Sequence, residues 1–196
     1  MLWLILSIAV WGFVHSLIAS LGFKNLMLRI FGNGFMRFYR LLYNVFSVIS
    51  IAPIFYLMII LPDRGFYQVP APWNYVMLVG SGFSVLFLFV AVLQTDVFSF
   101  VGLRQLFQEE QSGKLVTGGF YRIVRHPLYT FGLLALWFSS SVSVNAFIVY
   151  LSLTIYILIG IYFEERKLLR EFGQAYADYK SVTPMLIPGL KFSGNK

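Results

Sequence analysis

The stretch WNYVMLVGSGFSVLFLFVAVL, residues 73–93, decides the fold. It contains no charged side chain, and its length is what a helix needs to cross the hydrocarbon core of a bilayer. Inside a membrane every backbone N–H and C=O must be satisfied by the chain itself, so an apolar run of this length reads as a spanning helix. Pro62, Pro70 and Pro72 interrupt the chain ahead of it, and Trp73 and Tyr75 stand where interfacial anchors belong.

Working outward, comparable apolar runs occupy residues 2–21, 41–61, 128–138 and 146–163. The sequence therefore predicts an all-α integral membrane protein of about five transmembrane helices followed by a C-terminal amphipathic cytoplasmic helix. The fourth run is short and leads into SSSVSVN, residues 139–145, so runs four and five are expected to form a helical hairpin that dips or tilts. No cation precedes the first run, and the first one in the chain is Lys24; that run is expected to be kept as an anchor, not cleaved as a signal. A single domain, 1–196, is expected, because the spans use nearly all the residues.

Composition agrees: 59% of the 196 residues are hydrophobic, 12% are charged and the mean hydropathy is +0.77. The net charge of +7 is carried between apolar runs, which suits anionic lipid headgroups and excludes nucleic acid as the expected partner. Cysteine is absent, which excludes disulfides and thiolate metal sites, and no metal site is expected. Lys24, Arg29, Arg37 and Arg40 lie in the first connection, Arg64 alone in the second, Arg104, Lys114, Arg122 and Arg125 in the third, and none in the fourth. Arg166, Lys167, Arg170, Lys180, Lys191 and Lys196 follow the last span. This alternation places the N-terminus outside and the C-terminus in the cytoplasm.

On that topology His15, Arg40, Asn44, Asp96, Arg125, His126, Glu164 and Glu165 fall toward the cytoplasmic side. Ionisable groups near a bilayer are costly unless paired or wet, so one polar site opening to the cytosol is expected, with simple snorkelling and pairing as the alternative. In YRIVRHPLY, residues 121–129, Pro127 suits the first position of a helix, with His126 at the cap. Free N–H groups at that mouth favour an anion, and Arg125 adds a planar donor. Gly118 and Gly119 make the preceding loop one whose backbone can approach a ligand. Leu168, Leu169, Phe172, Tyr176 and Tyr179 share one face of the tail helix. Glu164 and Glu165 either pair with Arg166 and Lys167 in water, or one of them turns inward to meet a cation.

Two blocks, KLVTGGFYRIVRHPLY at 114–129 and EERKLLREFGQAYADY at 164–179, resemble in order and spacing the isoprenylcysteine carboxyl methyltransferase and phospholipid methyltransferase superfamily of integral membrane enzymes. HSLIAS, FYRLLYN and TPMLIPG resemble its small bacterial branch, which contains methanethiol S-methyltransferase and NnrU-like relatives. Isoprenylcysteine members commonly have His where this chain has Gly113. The resemblance implies an S-adenosyl-L-methionine-dependent methyltransferase of the bacterial inner membrane. In it residues 1–93 are a three-helix N-terminal part and 94–196 the cofactor-binding part. By the same resemblance Lys114, Leu115, Val116, Gly119, Tyr121, Arg125, His126, Pro127, Tyr129, Glu164 and Glu165 enclose the cofactor.

The chemistry of the residues suits such a donor. Arg125 and the helix mouth offer a partner for its carboxylate, Glu164 or Glu165 for its ammonium, and Tyr121 and Tyr129 for planar or cationic faces. The expected acceptor is a small or lipophilic thiol such as methanethiol, reached through the bilayer. His15 would accept its proton and Arg40 would lower its pKa. An isoprenylcysteine carboxylate or lipid amine as acceptor, or a non-catalytic membrane scaffold, are the alternatives.

Overall fold

The computed structural model describes residues 1–107 and 114–190; Gly113, Lys191 and Lys196 lie outside the described residues. Along the chain come helices α1 (Leu2–Ala19), α2 (Leu21–Ser50) and α3 (Ala52–Ile60), strand β1 (Gly65–Gln68), helices α4 (Trp73–Leu93), α5 (Val97–Val101) and α6 (Pro127–Trp137), strand β2 (Ser141–Ser143), and helices α7 (Val144–Phe172) and α8 (Gln174–Val182). Among the described residues four stretches are long and apolar enough to cross a membrane: Leu2–Ala19, Leu21–Ile60, Trp73–Leu93 and Val144–Phe172. The protein is an all-α integral membrane protein; among the described residues a single two-stranded β ladder pairs β1 with β2. The short fourth run gives α6, whose 11 residues rise about 16 Å, about half the hydrocarbon thickness.

Two local outcomes differ from the run-by-run reading. The first basic connection is helical, and only Gly32 breaks it: its φ of 73° and ψ of −178° lie outside the helix, in a region that glycine reaches without a Cβ clash. At the other end, α7 does not stop before the glutamates but carries both of them on to Phe172. The tail continues after Gly173 as the nine-residue α8.

The described residues fall into two compact units, 1–64, 96–107 and 143–152 in one and 65–95, 114–142 and 153–190 in the other. In the first, α1 packs on α2 and α3. Ser20 caps α2 through Phe23 N–H at 3.2 Å, and the Tyr39 hydroxyl donates to Ile18 C=O. The start of α7 is capped from far away in sequence. Asp63 Oδ1 accepts from Asn145 N–H at 3.0 Å and from Arg64 N–H at 2.8 Å, while Arg64 C=O accepts from Val144 N–H at 2.9 Å. These bonds supply partners to orphan donors of the first helical turn. In the second unit α4 packs along α6, with Phe87, Phe120 and Phe131 stacked at centroid distances of 4.9–5.5 Å. Trp137 Nε1 donates to Thr154 Oγ1 at 3.1 Å.

Candidate active site

His126 is the N-cap of α6 and Pro127 occupies its first turn, where a missing N–H costs nothing. The backbone donors just ahead of the helix are already engaged. Arg125 N–H bonds Pro184 C=O at 2.8 Å, His126 N–H bonds Met185 C=O at 3.2 Å, and the Thr130 hydroxyl bonds Leu186 C=O at 2.9 Å. Residues 183–186 thus form a strap across the mouth of α6.

The paired glutamates take different roles. Glu165 is buried, and its Oε1 accepts from Arg125 Nε at 2.7 Å and Nη2 at 2.5 Å, with His126 Nε2 at 3.4 Å. Lys180 Nζ reaches its Oε2 at 2.7 Å, so a buried carboxylate meets two cations. Arg125 Nη1 continues to Thr183 C=O and, at 3.3 Å, to Lys180 C=O. The planar donor expected to face a ligand carboxylate is therefore held by Glu165 and the strap. Glu164, with its side chain 40% exposed, accepts from the Tyr129 hydroxyl at 3.0 Å through Oε2. Its Oε1 takes no hydrogen bond among the described residues.

Gly119 has a φ of 59°, and a β-carbon there would collide with the carboxamide of Gln94, whose Oε1 accepts from Phe120 N–H at 2.8 Å. The close approach fixes the loop that leads to Tyr121. Burial first, then the charge of Glu164, pushes the Tyr121 phenol up to about 12. Burial likewise pushes Tyr179 up to about 12, so it stays a donor at neutral pH, and its hydroxyl bonds Tyr121 C=O at 2.5 Å. Lys114, Leu115 and Val116 precede this loop in irregular, partly exposed chain. The second unit thus brings Arg125, His126, Tyr129, Glu164 and Glu165 together at the α6 mouth beside Pro127, with Tyr121 in reach of the charge of Glu164 and Gly119 held against Gln94.

In the first unit His15 of α1 meets Tyr43 of α2, whose hydroxyl lies 2.7 Å from Nε2 and 3.2 Å from Nδ1. Trp11 stacks on the same imidazole at 5.0 Å between centroids. Arg40 is exposed one turn before Tyr43, and its charge helps hold Asp96 below the usual carboxylate range. The largest contribution there is the Ser99 N–H bonded to Asp96, and Arg104 at 2.8 Å contributes too.

The profile of the phospholipid methyltransferase family matches residues 75–175, which take in α6, the loop ahead of it and both glutamates. The chain belongs to the phospholipid methyltransferase family. Among its curated relatives, methanethiol S-methyltransferase 2 of Bradyrhizobium diazoefficiens is 38% identical over 107 residues, 52% of this chain and 41% of that one. The methanethiol S-methyltransferase of Pseudomonas deceptionensis is 36% identical over the same shares. That of Crocosphaera subtropica is 37% identical over 137 residues, 63% of this chain and 52% of that one. The chain spans about half the length of the curated relatives it matches. No solved structure matches it.

Sequence reasoning passed over four participants in this family member: Gln94, Tyr43, Lys180 and the strap carbonyls of Thr183 to Leu186. Gln94 carried a faint signal, as the first polar residue after the apolar run 73–93. The strap carried none, because backbone carbonyls have no side-chain signature.

Proposed function

We propose that the protein is a membrane-embedded, S-adenosyl-L-methionine-dependent methyltransferase that S-methylates a small or lipophilic thiol such as methanethiol. Family membership together with the relatives' names, methanethiol S-methyltransferases, supports the acceptor class. The observation that carries the donor is Glu164, a carboxylate that takes the Tyr129 hydroxyl on one oxygen, has the other unclaimed among the described residues, and acts by its charge on Tyr121. That donor set fits a ligand with an ammonium group and a flat aromatic head. Glu164 would hold the ammonium, Tyr121 and Tyr129 would flank the planar and cationic parts, and the 114–119 backbone would approach closely. Arg125, His126, Pro127 and Glu165 would shape that wall from behind. When bound, the cofactor supplies a methyl group already activated by its sulfonium.

The chain's own task is then alignment, exclusion of water and handling of one thiol proton. His15 accepts that proton, Tyr43 holds the imidazole through its hydroxyl, and Arg40 favours the thiolate through its charge. The chain acts as a single domain of the bacterial inner membrane with the N-terminus outside and the C-terminus in the cytoplasm, a reading supported by the loop charges.

The test is purified protein in detergent with labelled S-adenosyl-L-methionine and a panel of methanethiol, larger thiols, farnesylcysteine analogues and phosphatidylethanolamine. Label appearing on the thiols is expected. Label appearing only on farnesylcysteine or phosphatidylethanolamine would move the acceptor class, and no label on any acceptor would remove the activity. Within the thiol reading, His15→Gln should slow turnover by about 10²–10⁴-fold and leave cofactor affinity unchanged, since positioned acid–base help is of that size.

A further inference from the structure

The first acidic residue of the chain is Asp63, so Lys24, Arg29, Arg37 and Arg40 share residues 1–62 with no carboxylate side chain. Arg29 and Arg37 are exposed, and neither forms an ion pair among the described residues. Lys24 lies 5.9 Å over the Tyr39 ring, and Arg40 acts on Asp96. The two arginines flank the Gly32 break. Before it, residues 21–31 form a helical segment about 16 Å long, too short to span a bilayer. This segment also exposes Leu21, Leu26, Leu28, Ile30 and Phe31, large apolar groups that water would leave unsatisfied. A short helix with exposed apolar side chains, unpaired guanidiniums and a swivel at its end has the properties of an interfacial amphipathic helix.

We propose that residues 21–31 lie in the plane of the membrane surface and that Arg29 and Arg37 bind the phosphates of anionic phospholipids. Leu26, Ile30 and Phe31 enter the acyl boundary, and Gly32 lets the chain turn from the surface into the span that follows. A guanidinium matches a phosphate with paired donors, and the absence of any acid through residue 62 leaves lipid phosphate as the counter-charge. This inference is independent of the proposed methyl transfer.

The chain lacks cysteine, so Asn25→Cys gives a single labelling site on the full-length protein. Carrying an environment-sensitive fluorophore there, it is reconstituted into phosphatidylcholine vesicles with a small fraction of spin-labelled phosphatidylglycerol or spin-labelled phosphatidylcholine. The expected result is an emission typical of the headgroup region and quenching that favours the anionic lipid by about 25-fold, given about fivefold for each of the two arginines near an anionic surface. That preference should fall to parity in Arg29→Gln/Arg37→Gln, persist in Arg29→Lys/Arg37→Lys, and collapse in the parent protein at high salt. Water-like emission, equal quenching by both lipids in the parent, or a preference that survives in the glutamine variant would each overturn the proposal. The parent's lipid comparison and salt response decide the matter even where the glutamine variant does not fold.

Discussion

Residues 24–40 and residues 122–180 are both rich in cations, yet they treat them in opposite ways. In the later region Arg125 and Lys180 converge on one buried carboxylate, Glu165, and the same guanidinium reaches two backbone carbonyls. In the earlier region Arg29 and Arg37 meet no carboxylate among the described residues. A positive charge counted in the sequence is therefore an internal brace in one place and an offer to the surroundings in the other. The partner decides which, and for Arg125 that partner lies 40 residues away in sequence.

The largest expected effect tests the braced side. Arg125→Ala leaves the buried Glu165 with Lys180 and the His126 imidazole but without its guanidinium, and breaking a buried pair this way costs about 3–5 kcal/mol. The thermal midpoint in detergent should fall steeply, with Glu165→Gln falling too. A mutant as stable as its parent would mean that the brace is dispensable and would return Arg125 to the role of a ligand-facing donor.

Next comes Gln94, where the partner is again internal. Gln94→Met keeps the size but leaves the half-buried Phe120 N–H without its acceptor, a loss of about 1 kcal/mol, at the low end for a desolvated donor. Gln94→Glu keeps an acceptor oxygen and should retain more stability and, under the proposed function, more cofactor affinity measured by calorimetry. Equal behaviour of the two variants would show that Gln94 only fills space.

Asp63 is the acidic counterpart of these braces. Burial acts to raise its pKa, but hydrogen bonds from Ser143 and from the N–H groups of Asn145, Arg64 and Val144 outweigh it and hold the carboxyl below its usual value. A depressed folded-state pKa gives stability that is present above the unfolded value and lost as pH falls through the folded one. Asp63→Ala should cost about 1 kcal/mol at neutral pH, the usual value of a helix cap. The gap from the parent should narrow as unfolding is followed into acid; a gap constant from neutral pH down to acid would place the effect in packing, not charge.

The smallest effect belongs to the unpaired side. Arg29→Gln and Arg37→Gln should each leave the detergent midpoint within about 0.5 kcal/mol of the parent, as surface substitutions do. A large loss there would dissolve the contrast between the two regions.

Much of this was legible in the sequence, for identifiable reasons. Apolar run length located α1, α4 and α7, because a bilayer imposes one scale on all of them. Pro127 placed the start of α6, since proline tolerates so few helical positions. The inward turn of one glutamate was readable as a class of event, because a carboxylate pair at a span's end needs a cation. That Glu165 turns in and Glu164 stays half exposed was not readable, since two adjacent positions on a helix differ only by where the packed face falls. Helix α2 running through the first basic connection was hidden by GNG, which looks like a loop, although only Gly32 leaves the helix. Asp63 capping α7 and Gln94 seating Gly119 both join residues far apart in sequence, and no local pattern marks them.

The strap has a consequence for how the molecule is made. Residues 183–186 supply the acceptors for Arg125 N–H, His126 N–H and the Thr130 hydroxyl, and Lys180 supplies a cation for Glu165. Synthesis runs from the N-terminus, and earlier segments fold first. The α6 mouth therefore emerges from the ribosome well before its own closing segment. During that interval the newly made Arg125–Glu165 pair lacks its backbone seal. The strap is a timing element: the hydrogen bonds across the α6 mouth close only after residue 186 has been translated.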